Sequence, residues 1–224
     1  MKLYSGPLSL FSRKVEIALA EKGIAHDREV VTFSQSKGYA PKHPAVLAGN
    51  PKGQVPVLVD GDLTLFDSTV ILEYLEEGWP APALMPADPK ARARCRMLEL
   101  TADEILLKPL SRLMFRTEPA RQDPAEEAAL EAKAAVAEEE LLALYGTLVG
   151  ELRGDWFCSR FSMADIALFM SVHYGVRLGG PSLDSLPDLA LWYRRMLARP
   201  AVATVVAEID EADRRLSRPV TRRM

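Results

Sequence analysis

Two places in the chain put hydroxyl or carboxylate side chains where a helix is predicted to begin. Ser9 lies between a first apolar strand and a helix predicted to run from about Phe11, and Ser12 lies in the first turn of that helix. Asp67 and Ser68 stand before a set of apolar residues at helical spacing, which are Val70, Ile71, Tyr74 and Leu75. The first turn of a helix has unpaired amide groups that bind anions. Both places are therefore candidate sites for a negatively charged group.

A proline opens the strand that leads to the second of these sites. Residues 53–59 read Gly-Gln-Val-Pro-Val-Leu-Val, followed by an Asp-Gly turn signal and a second strand up to Phe66. Proline cannot donate to a strand ladder, so Pro56 is tolerated only at a strand's first position or on an edge. The backbone at Val55 is thus left to pair with an extended peptide by strand addition. A carboxylate on that peptide would suit the helix start at Ser68.

These motifs resemble those of the glutathione S-transferase family. The resemblance rests on residues 53–58 with Asp67-Ser68, on the opening residues 2–15, on residues 161–167, and on Leu186-Pro187-Asp188 leading into Trp192-Tyr193. It covers nearly the whole chain. It implies a thioredoxin-like α/β N-terminal domain and an all-α C-terminal domain, with glutathione as co-substrate and no metal. It also implies a cis Val55–Pro56 bond, and a homodimer with Arg92, Arg94 and Arg96 as candidate cross-subunit contacts.

Ser9 is the predicted thiol-activating residue. An ordinary thiol has a pKa of about 8.5, and lowering it by two units needs about 2.7 kcal/mol. A hydroxyl that donates to a thiolate gives about 1.5–3 kcal/mol, and a helix N-terminus gives about 0.3–1 kcal/mol more. One serine at a helix start is therefore sufficient. In serine-type members of the family the activating serine lies six residues before the helix's valine, here Val15, which selects Ser9 with Ser12 as the runner-up.

Other interpretations of this first segment stay open. Both serines also suit simple helix capping. Tyr4 occupies the strand in which other branches of the family carry an activating tyrosine, but it lies one position too early relative to Pro7. Strand alternation turns Tyr4 to the opposite face, which favours a packing role. Arg13 and Lys14 oppose the helix dipole in the first turn, so they indicate either a bound anion nearby or surface solubility.

The resemblance also assigns the glutathione-binding residues. They are Lys42, Gln54, Val55, Pro56, Asp67 and Ser68. Gln54 and Val55 are assigned to the peptide backbone. The γ-glutamyl end carries an ammonium and a carboxylate, which Asp67 and the Ser68 hydroxyl with its helix amides complement. Lys42 resembles the basic residue that some members use for the glycyl carboxylate, and a solvated loop lysine is an equal alternative.

Composition excludes several other classes of function. The chain has 224 residues, of which 48% are apolar, and a formal charge of −3. It is long enough for one large or two small domains and has no basic footprint for nucleic acid. The arginines near the C-terminus are predicted to form a solvated tail. We expect a cytoplasmic protein without membrane contact, because no signal peptide or membrane-length apolar run is visible.

Cysteine and histidine spacing predicts neither a metal site nor a nucleophile. Cys95 and Cys158 are far apart and form no Cys-x-x-Cys motif, so they are predicted to be buried core residues rather than a zinc or dithiol centre. His26, His43 and His173 are scattered, and no pair has ligand spacing on one helix. A Gly-x-Ser-x-Gly motif is also absent from the sequence.

The pattern of elements predicts two domains. Residues 1–77 alternate strands and helices, with an irregular connection over 32–50. Glycine and several prolines crowd residues 78–88, the predicted linker. Residues 89–224 read as helical. Apolar residues at spacings of three and four predict one buried face for each of two helices: Leu98, Ala102 and Ile105, then Leu130, Ala134, Ala137, Leu141, Leu144 and Leu148. Ser162 and Asp165 read as a structural capping box.

The sequence therefore predicts a glutathione S-transferase that activates the thiol of glutathione for attack on a small electrophile. A glutathione-dependent disulfide reductase or peroxidase would use the same Ser9, and the missing cysteine at this position argues mildly against it. A non-enzymatic ligand-binding protein is the third interpretation, and the intact set of binding residues argues against it. The maleylacetoacetate isomerase branch is less favoured, because its Ser-Ser-Cys opening is replaced by Leu8-Ser9-Leu10. No motif identifies the electrophile.

Overall fold

The structure is a computed structural model that describes residues 1–223. Its strands are β1 (Lys2–Ser5), β2 (Asp27–Val30), β3 (Val57–Asp60) and β4 (Leu63–Phe66). Its helices are α1 (Leu10–Glu21), α2 (Pro44–Gly49), α3 (Ser68–Gly78), α4 (Pro89–Leu100), α5 (Leu107–Ser111), α6 (Pro124–Val149), α7 (Met163–Arg177), α8 (Pro187–Leu197) and α9 (Pro200–Leu216). A π-helical segment, Thr101–Leu106, joins α4 to α5. In the described part of the chain, no helix combines the length and apolarity needed to cross a bilayer.

The chain divides into two compact units. The first contains Met1–Met85 and Pro200–Leu216, and the second contains Pro86–Arg199 and the residues that follow α9. The sequence analysis assigned every residue from 89 onward to the helical domain, whereas α9 lies with the first unit and packs on α1.

The first unit is built on a four-stranded mixed sheet with the strand order β2-β1-β3-β4. The strand β1 runs parallel to β2 and antiparallel to β3, and β3 pairs with β4 through a two-residue turn at Gly61 and Asp62. The core between the sheet and the helices α1 and α3 contains Leu3, Val15, Leu19, Leu58, Ile71 and Leu75. The expected thioredoxin-like fold of the N-terminal domain is confirmed. The predicted Asp-Gly hairpin is also present. Helix α1 ends before Gly23, as predicted, and Gly23 has a φ of +64°.

The first turn of α1 is buried. Arg13 is 2% exposed and Lys14 is fully buried, so the interpretation of these cations as solubilising surface residues is wrong. The Arg13 guanidinium lies 2.5 Å from a Glu16 carboxylate oxygen and 2.6 Å from one of Glu208, which α9 contributes. Arg28 lies 2.6 Å from the same Glu208 oxygen. Burial opposes ionisation of Glu208, but the hydrogen bonds from Arg28 and Arg13 outweigh it and lower its pKa.

The second unit is helical, as predicted, and one of its expected buried faces is corrected. Leu98 and Ala102 are buried, but Ile105 is 44% exposed and Leu106 takes its place. The π-helical turn has more residues per turn than an α-helix, so the buried position after Ala102 shifts by one residue. The predicted stripe on α6 is confirmed at Ala134, Ala137, Leu141 and Leu148, with Tyr145 added to it, while Leu130 and Leu144 are half-buried.

The segment after α9 does not form a wholly solvated tail. Arg218 donates a hydrogen bond to the carbonyl of Arg116 at 2.9 Å and pairs with Glu127 at 2.8 Å. Arg223 pairs with Glu138 at 2.8 Å. The remaining predicted tail arginines include Arg214, which is exposed and pairs with Glu211 on α9 itself. These contacts attach the C-terminal residues to the second unit.

The predicted capping box at the start of α7 is confirmed. Asp165 accepts hydrogen bonds from the amide and the hydroxyl of Ser162, both at 3.0 Å. It also accepts from the Phe157 amide at 3.1 Å and from the Trp192 indole at 3.0 Å. The carboxylate is fully buried. Burial raises the pKa of Asp165 to about 6, although the hydrogen bonds from Phe157, Trp192 and Ser162 oppose the shift.

This pKa gives the stability a defined pH dependence. The folded pKa lies above the ordinary value of 3.8, so the native chain binds this proton more tightly than the unfolded chain does. The stabilising contribution is complete below about pH 4 and is lost as the pH rises through about 6. Because Asp165→Asn cannot titrate, the stability of the parent relative to this variant should fall by roughly 2–3 kcal/mol between about pH 4 and pH 7. Urea unfolding at both pH values measures this difference. The exposed Asp188→Asn is the control, and an equal effect of pH on both variants would contradict the assignment.

Candidate functional site

The strand register brings the three predicted site segments to one end of the sheet, where β1 and β4 finish and β3 begins. Tyr4 pairs with Val57, so the end of β1 and the segment before β3 are neighbours. Val57 also pairs with Phe66, so the end of β4 lies at the same end of the sheet. The chain then continues from β1 to the start of α1 and from β4 to the start of α3. Two helix N-termini and the proline segment therefore share one end of the sheet.

Ser9 caps α1 and is the more exposed of the two candidate serines. Its hydroxyl oxygen accepts a hydrogen bond from the Ser12 amide at 3.2 Å, which leaves the hydroxyl hydrogen available to donate. Ser9 is 9% exposed, whereas Ser12 is fully buried. The Ser12 hydroxyl accepts from the Gly6 amide at 3.2 Å and so closes the loop between β1 and α1. The capping interpretation is thus correct for Ser9, whereas the Ser12 hydroxyl bonds to the preceding loop. Capping leaves a chemical role open to Ser9.

The loop that carries Ser9 is held from two sides. Arg13 donates to the carbonyl of Pro7 through Nε at 3.3 Å and Nη2 at 3.0 Å. The Tyr39 ring lies against Gly6, where an added Cβ would stand 2.3 Å from the Tyr39 hydroxyl oxygen. Tyr39 was missed by the sequence analysis because it falls in the irregular connection over 32–50, where no pattern applies. Tyr4 lies in the same apolar cluster as Tyr39, with its ring 5.2 Å from that of His43, which agrees with a packing role.

Asn50 organises the turn that precedes the proline segment. It is 4% exposed. Its side-chain nitrogen Nδ2 donates to the Gln54 carbonyl at 2.7 Å, and its side-chain oxygen Oδ1 accepts from the Lys52 backbone amide at 2.9 Å. Gly53 completes the turn with a φ of +58° and an amide that donates to the Asn50 carbonyl at 2.7 Å. The Asn-Pro dipeptide at this position was a turn signal from which Asn50 could have been identified.

Four predicted binding residues lie beside this turn: Lys42, Gln54, Val55 and Pro56. The Val55–Pro56 peptide bond is cis, as the resemblance implied. The described ladder between β1 and β3 begins at Val57, so Val55 lies outside it. Lys42 is exposed, and a Cβ on Gly53 would stand 3.8 Å from its Cδ atom. The structure therefore brings Lys42 next to the turn that leads to Gln54 and Val55.

The start of α3 has an unusual backbone. Asp67 is the N-cap, and its carboxylate accepts from the Thr69 amide at 3.0 Å. Its φ is +73°, the single positive value among the described residues other than glycine. Such a conformation costs on the order of 1–3 kcal/mol and is found most often at functional sites. Ser68 follows as the first helical residue and is 4% exposed.

The histidines are not brought together. His43 caps α2 and lies 2.9 Å from a Glu29 oxygen, while His26 contacts the carbonyl of Ile24. His173 is buried in the second unit, where it contacts the Tyr193 hydroxyl at 2.8 Å. Within residues 1–223, no group of three or more histidine, cysteine or acidic side chains is arranged to hold a metal ion.

Comparison with known families identifies the chain. Residues 8–77 match the family described as "Glutathione S-transferase, N-terminal domain", and residues 105–200 match "Glutathione S-transferase, C-terminal domain". The chain belongs to the glutathione S-transferase family. The fold of this transferase-family protein agrees with that assignment in both the mixed sheet and the helical domain.

Two relatives of this chain have different names. The chain is 47% identical over 100 residues to a stringent starvation protein A homolog of Coxiella burnetii, a match covering 44% of each protein. It is 46% identical over 97 residues to a maleylacetoacetate isomerase of Pseudomonas aeruginosa, covering 43% of this chain and 45% of that one. The matched region thus spans less than half the length of these relatives.

A solved structure covers more of the chain. A glutathione transferase homolog from Sulfitobacter, crystallised with bound glutathione, is 27% identical and has a TM-score of 0.74. The alignment covers 92% of this chain and 97% of that one. The similarity therefore extends over both domains of this protein.

Asn50→Ala tests whether the turn supports the site. The substitution removes two hydrogen bonds, each worth about 0.5–1.5 kcal/mol, so the free energy of unfolding should fall by about 1–3 kcal/mol. Urea unfolding measures this loss, and calorimetry should show weaker binding of glutathione. Lys52→Ala is the matched control, since its amide still donates to Asn50 after its side chain is removed. Equal effects of the two variants would disprove the role of Asn50.

Proposed function

We propose that this protein is a glutathione transferase that stabilises the thiolate of glutathione for attack on a small electrophilic substrate. The observation that carries this proposal is the convergence of the α1 start, the cis-proline segment and the α3 start at one end of the sheet. Two sets of helix amides and an unpaired strand segment suit a peptide with carboxylates at its ends. Family membership supports glutathione as that peptide.

In this proposal, Ser9 is the catalytic residue. Its oxygen accepts from the Ser12 amide, so its hydrogen is free to donate to another acceptor, which in this proposal is the sulfur of glutathione. Donation to a charged sulfur favours the thiolate over the thiol. The start of α1 adds a favourable electrostatic contribution of the same sign. Bound glutathione supplies the nucleophilic sulfur, and the electrophile remains to be identified.

The other predicted residues bind glutathione in this proposal. Gln54 and Val55 contact its peptide backbone, with cis Pro56 fixing the direction of the chain. Asp67 and Ser68 complement the γ-glutamyl ammonium and carboxylate. Lys42 pairs with the glycyl carboxylate, and its position beside Gly53 supports that role. The same proposal assigns glutathione binding to residues 1–77 and binding of the electrophile to residues 89–224, joined by the linker at 78–88.

The names of the relatives define the alternatives to be tested. The maleylacetoacetate isomerase relative makes isomerisation a competing activity. The name of the stringent starvation protein A homolog states no enzymatic activity, which fits a non-enzymatic protein of this fold. Disulfide reduction or peroxide reduction by the same thiolate is a further alternative. Three substrates distinguish them: an aryl halide for conjugation, a glutathione mixed disulfide for reduction, and maleylacetoacetate for isomerisation.

Ser9→Ala tests the thiol-activating role. We expect the parent protein to lower the pKa of bound glutathione by about one unit or more, and the variant to lose this shift while it still binds glutathione. The ultraviolet absorbance of the thiolate against pH measures the pKa, and calorimetry measures binding. Ser12→Ala is the matched variant, and it should keep the shift. Loss of the shift in Ser12→Ala alone would transfer the role to Ser12.

Two results would reject the broader proposal. Failure of the parent to bind glutathione would reject all glutathione-dependent activities together and favour the non-enzymatic alternative. Binding with a lowered pKa but turnover of the mixed disulfide alone would retain Ser9 as the activating residue and replace the transferase assignment with a reductase.

We also infer a homodimer, as the family resemblance implies. Met97 and Leu100 on α4 are 69% and 52% exposed, which is unusual for large apolar side chains beside each other. Of the predicted cross-subunit arginines, Arg94 pairs with Glu151 of its own chain. Light scattering should therefore give twice the 24.8 kDa chain mass, and Met97→Glu should yield a monomer. Ala132→Glu on exposed α6 is the control, and a parent that is monomeric at micromolar concentration would contradict the inference.

A further inference from the structure

The two cysteines of the chain are in contact. Cys95 lies on α4 and Cys158 lies in the segment before α7, and they are 1% and 4% exposed. Both are free thiols, and their side chains hydrogen-bond to each other. The prediction that they are buried is confirmed. The expectation of no dithiol centre rested on their separation in the sequence. The contact arises from tertiary packing, so the spacing in the sequence did not reveal it.

Packing at the start of α7 holds the pair in place. Helix α4 packs against α7, which brings Cys95 to the first turn of α7. The Ala164 amide donates to the Cys95 sulfur, and the Ser162 hydroxyl interacts with both thiols. The segment carrying Cys158 is fixed by the Phe157 amide, which donates to Asp165. Both sulfurs are thus positioned by the same capping structure.

The two thiols differ in acidity. The hydrogen bond from Cys95 lowers the pKa of Cys158 against the effect of burial, and a hydrogen bond from Ser162 acts in the same direction. The charge of Asp165 opposes this shift and that of Arg94 favours it. The hydrogen bond with Cys158 and burial together raise the pKa of Cys95. Cys158 is also the more exposed of the two, and the thiolate is the nucleophilic form, so we assign the first attack to Cys158 and the second to Cys95.

We propose that Cys95 and Cys158 form a redox site that reduces a small peroxide and closes a disulfide between α4 and the segment before α7. The Cys158 thiolate attacks one peroxide oxygen, the O–O bond breaks, and Cys158 becomes a sulfenic acid. The departing hydroxide takes up the proton released by Cys158 and leaves as water. The Cys95 sulfur then attacks the Cys158 sulfur, the S–O bond breaks, and the second hydroxide leaves as water with the Cys95 proton.

The electrons and atoms balance in this sequence. Hydrogen peroxide gains two electrons and becomes two waters, while two thiols lose two electrons and two protons and become one disulfide. Peroxide is close to water in size, so it suits a pair of sulfurs with little exposure. The site uses no residue of the proposed glutathione site, so its test is independent of Ser9.

The experiment is peroxide titration of the full chain, followed by denaturation and alkylation of the remaining thiols. We expect the intact mass to fall by two hydrogens without added alkyl groups, and digestion to yield one peptide pair linked through Cys95 and Cys158. Dithiothreitol should restore both alkylatable thiols. A protein that retains two alkylatable thiols, or forms only disulfides between chains, would overturn the proposal.

Single substitutions separate the two roles. Cys95→Ser should accumulate a sulfenic acid at Cys158 that a dimedone probe captures. Cys158→Ser should oxidise more slowly at Cys95, because Cys95 is the more deeply buried thiol. Equal oxidation rates of the two variants would overturn the assigned order. Circular dichroism establishes that each variant is folded, and the crosslink in the parent protein tests the site even where a substitution prevents folding.

Discussion

The first unit depends on a cluster of buried charges at the start of α1. Arg13 contacts the Pro7 carbonyl on one side and the carboxylates of Glu16 and Glu208 on the other. Arg13 and Glu16 are almost completely buried, and an unpaired charge at that depth would be strongly destabilising, so these two residues require their partners. One side chain therefore links the loop that presents Ser9 to the docking of α9. The ionic and hydrogen-bonding contacts of Arg13 therefore stabilise both the loop of the candidate site and the packing of α9.

Elements defined by local signals were predicted from the sequence, and those defined by packing were not. The Asp-Gly turn, the stop at Gly23 and the capping box at Ser162 each act within a few residues, and all are present. The helix α2 was missed because six residues are too few to show periodicity. Ile105 was assigned to the wrong face because a π-helical turn changes the period from which the assignment was made. The depth of Arg13 depends on α9, which no local pattern connects to α1.

The candidate site divides in the same way. The proline segment and the two helix starts are motifs in the sequence, and the strand register places them at one end of the sheet. The supporting residues are less visible. Tyr39 acts by filling the space over Gly6, and Asn50 acts by bonding the backbone of a turn. Both roles depend on where the backbone of another segment passes, which a residue type does not encode. The contact between Cys95 and Cys158 is non-local for the same reason.

The division of the chain also affects the order in which the protein can fold during synthesis. The first unit is discontinuous, because α9 is translated after the whole helical stretch from Pro86 to Arg199. A ribosome that has released only residues 1–85 presents a sheet whose Arg13 and Arg28 lack Glu208. Domains of nascent chains generally fold in the order in which they emerge. Here the second unit has most of its residues available before α9 is made, and the N-terminal unit is completed only after α9 has emerged.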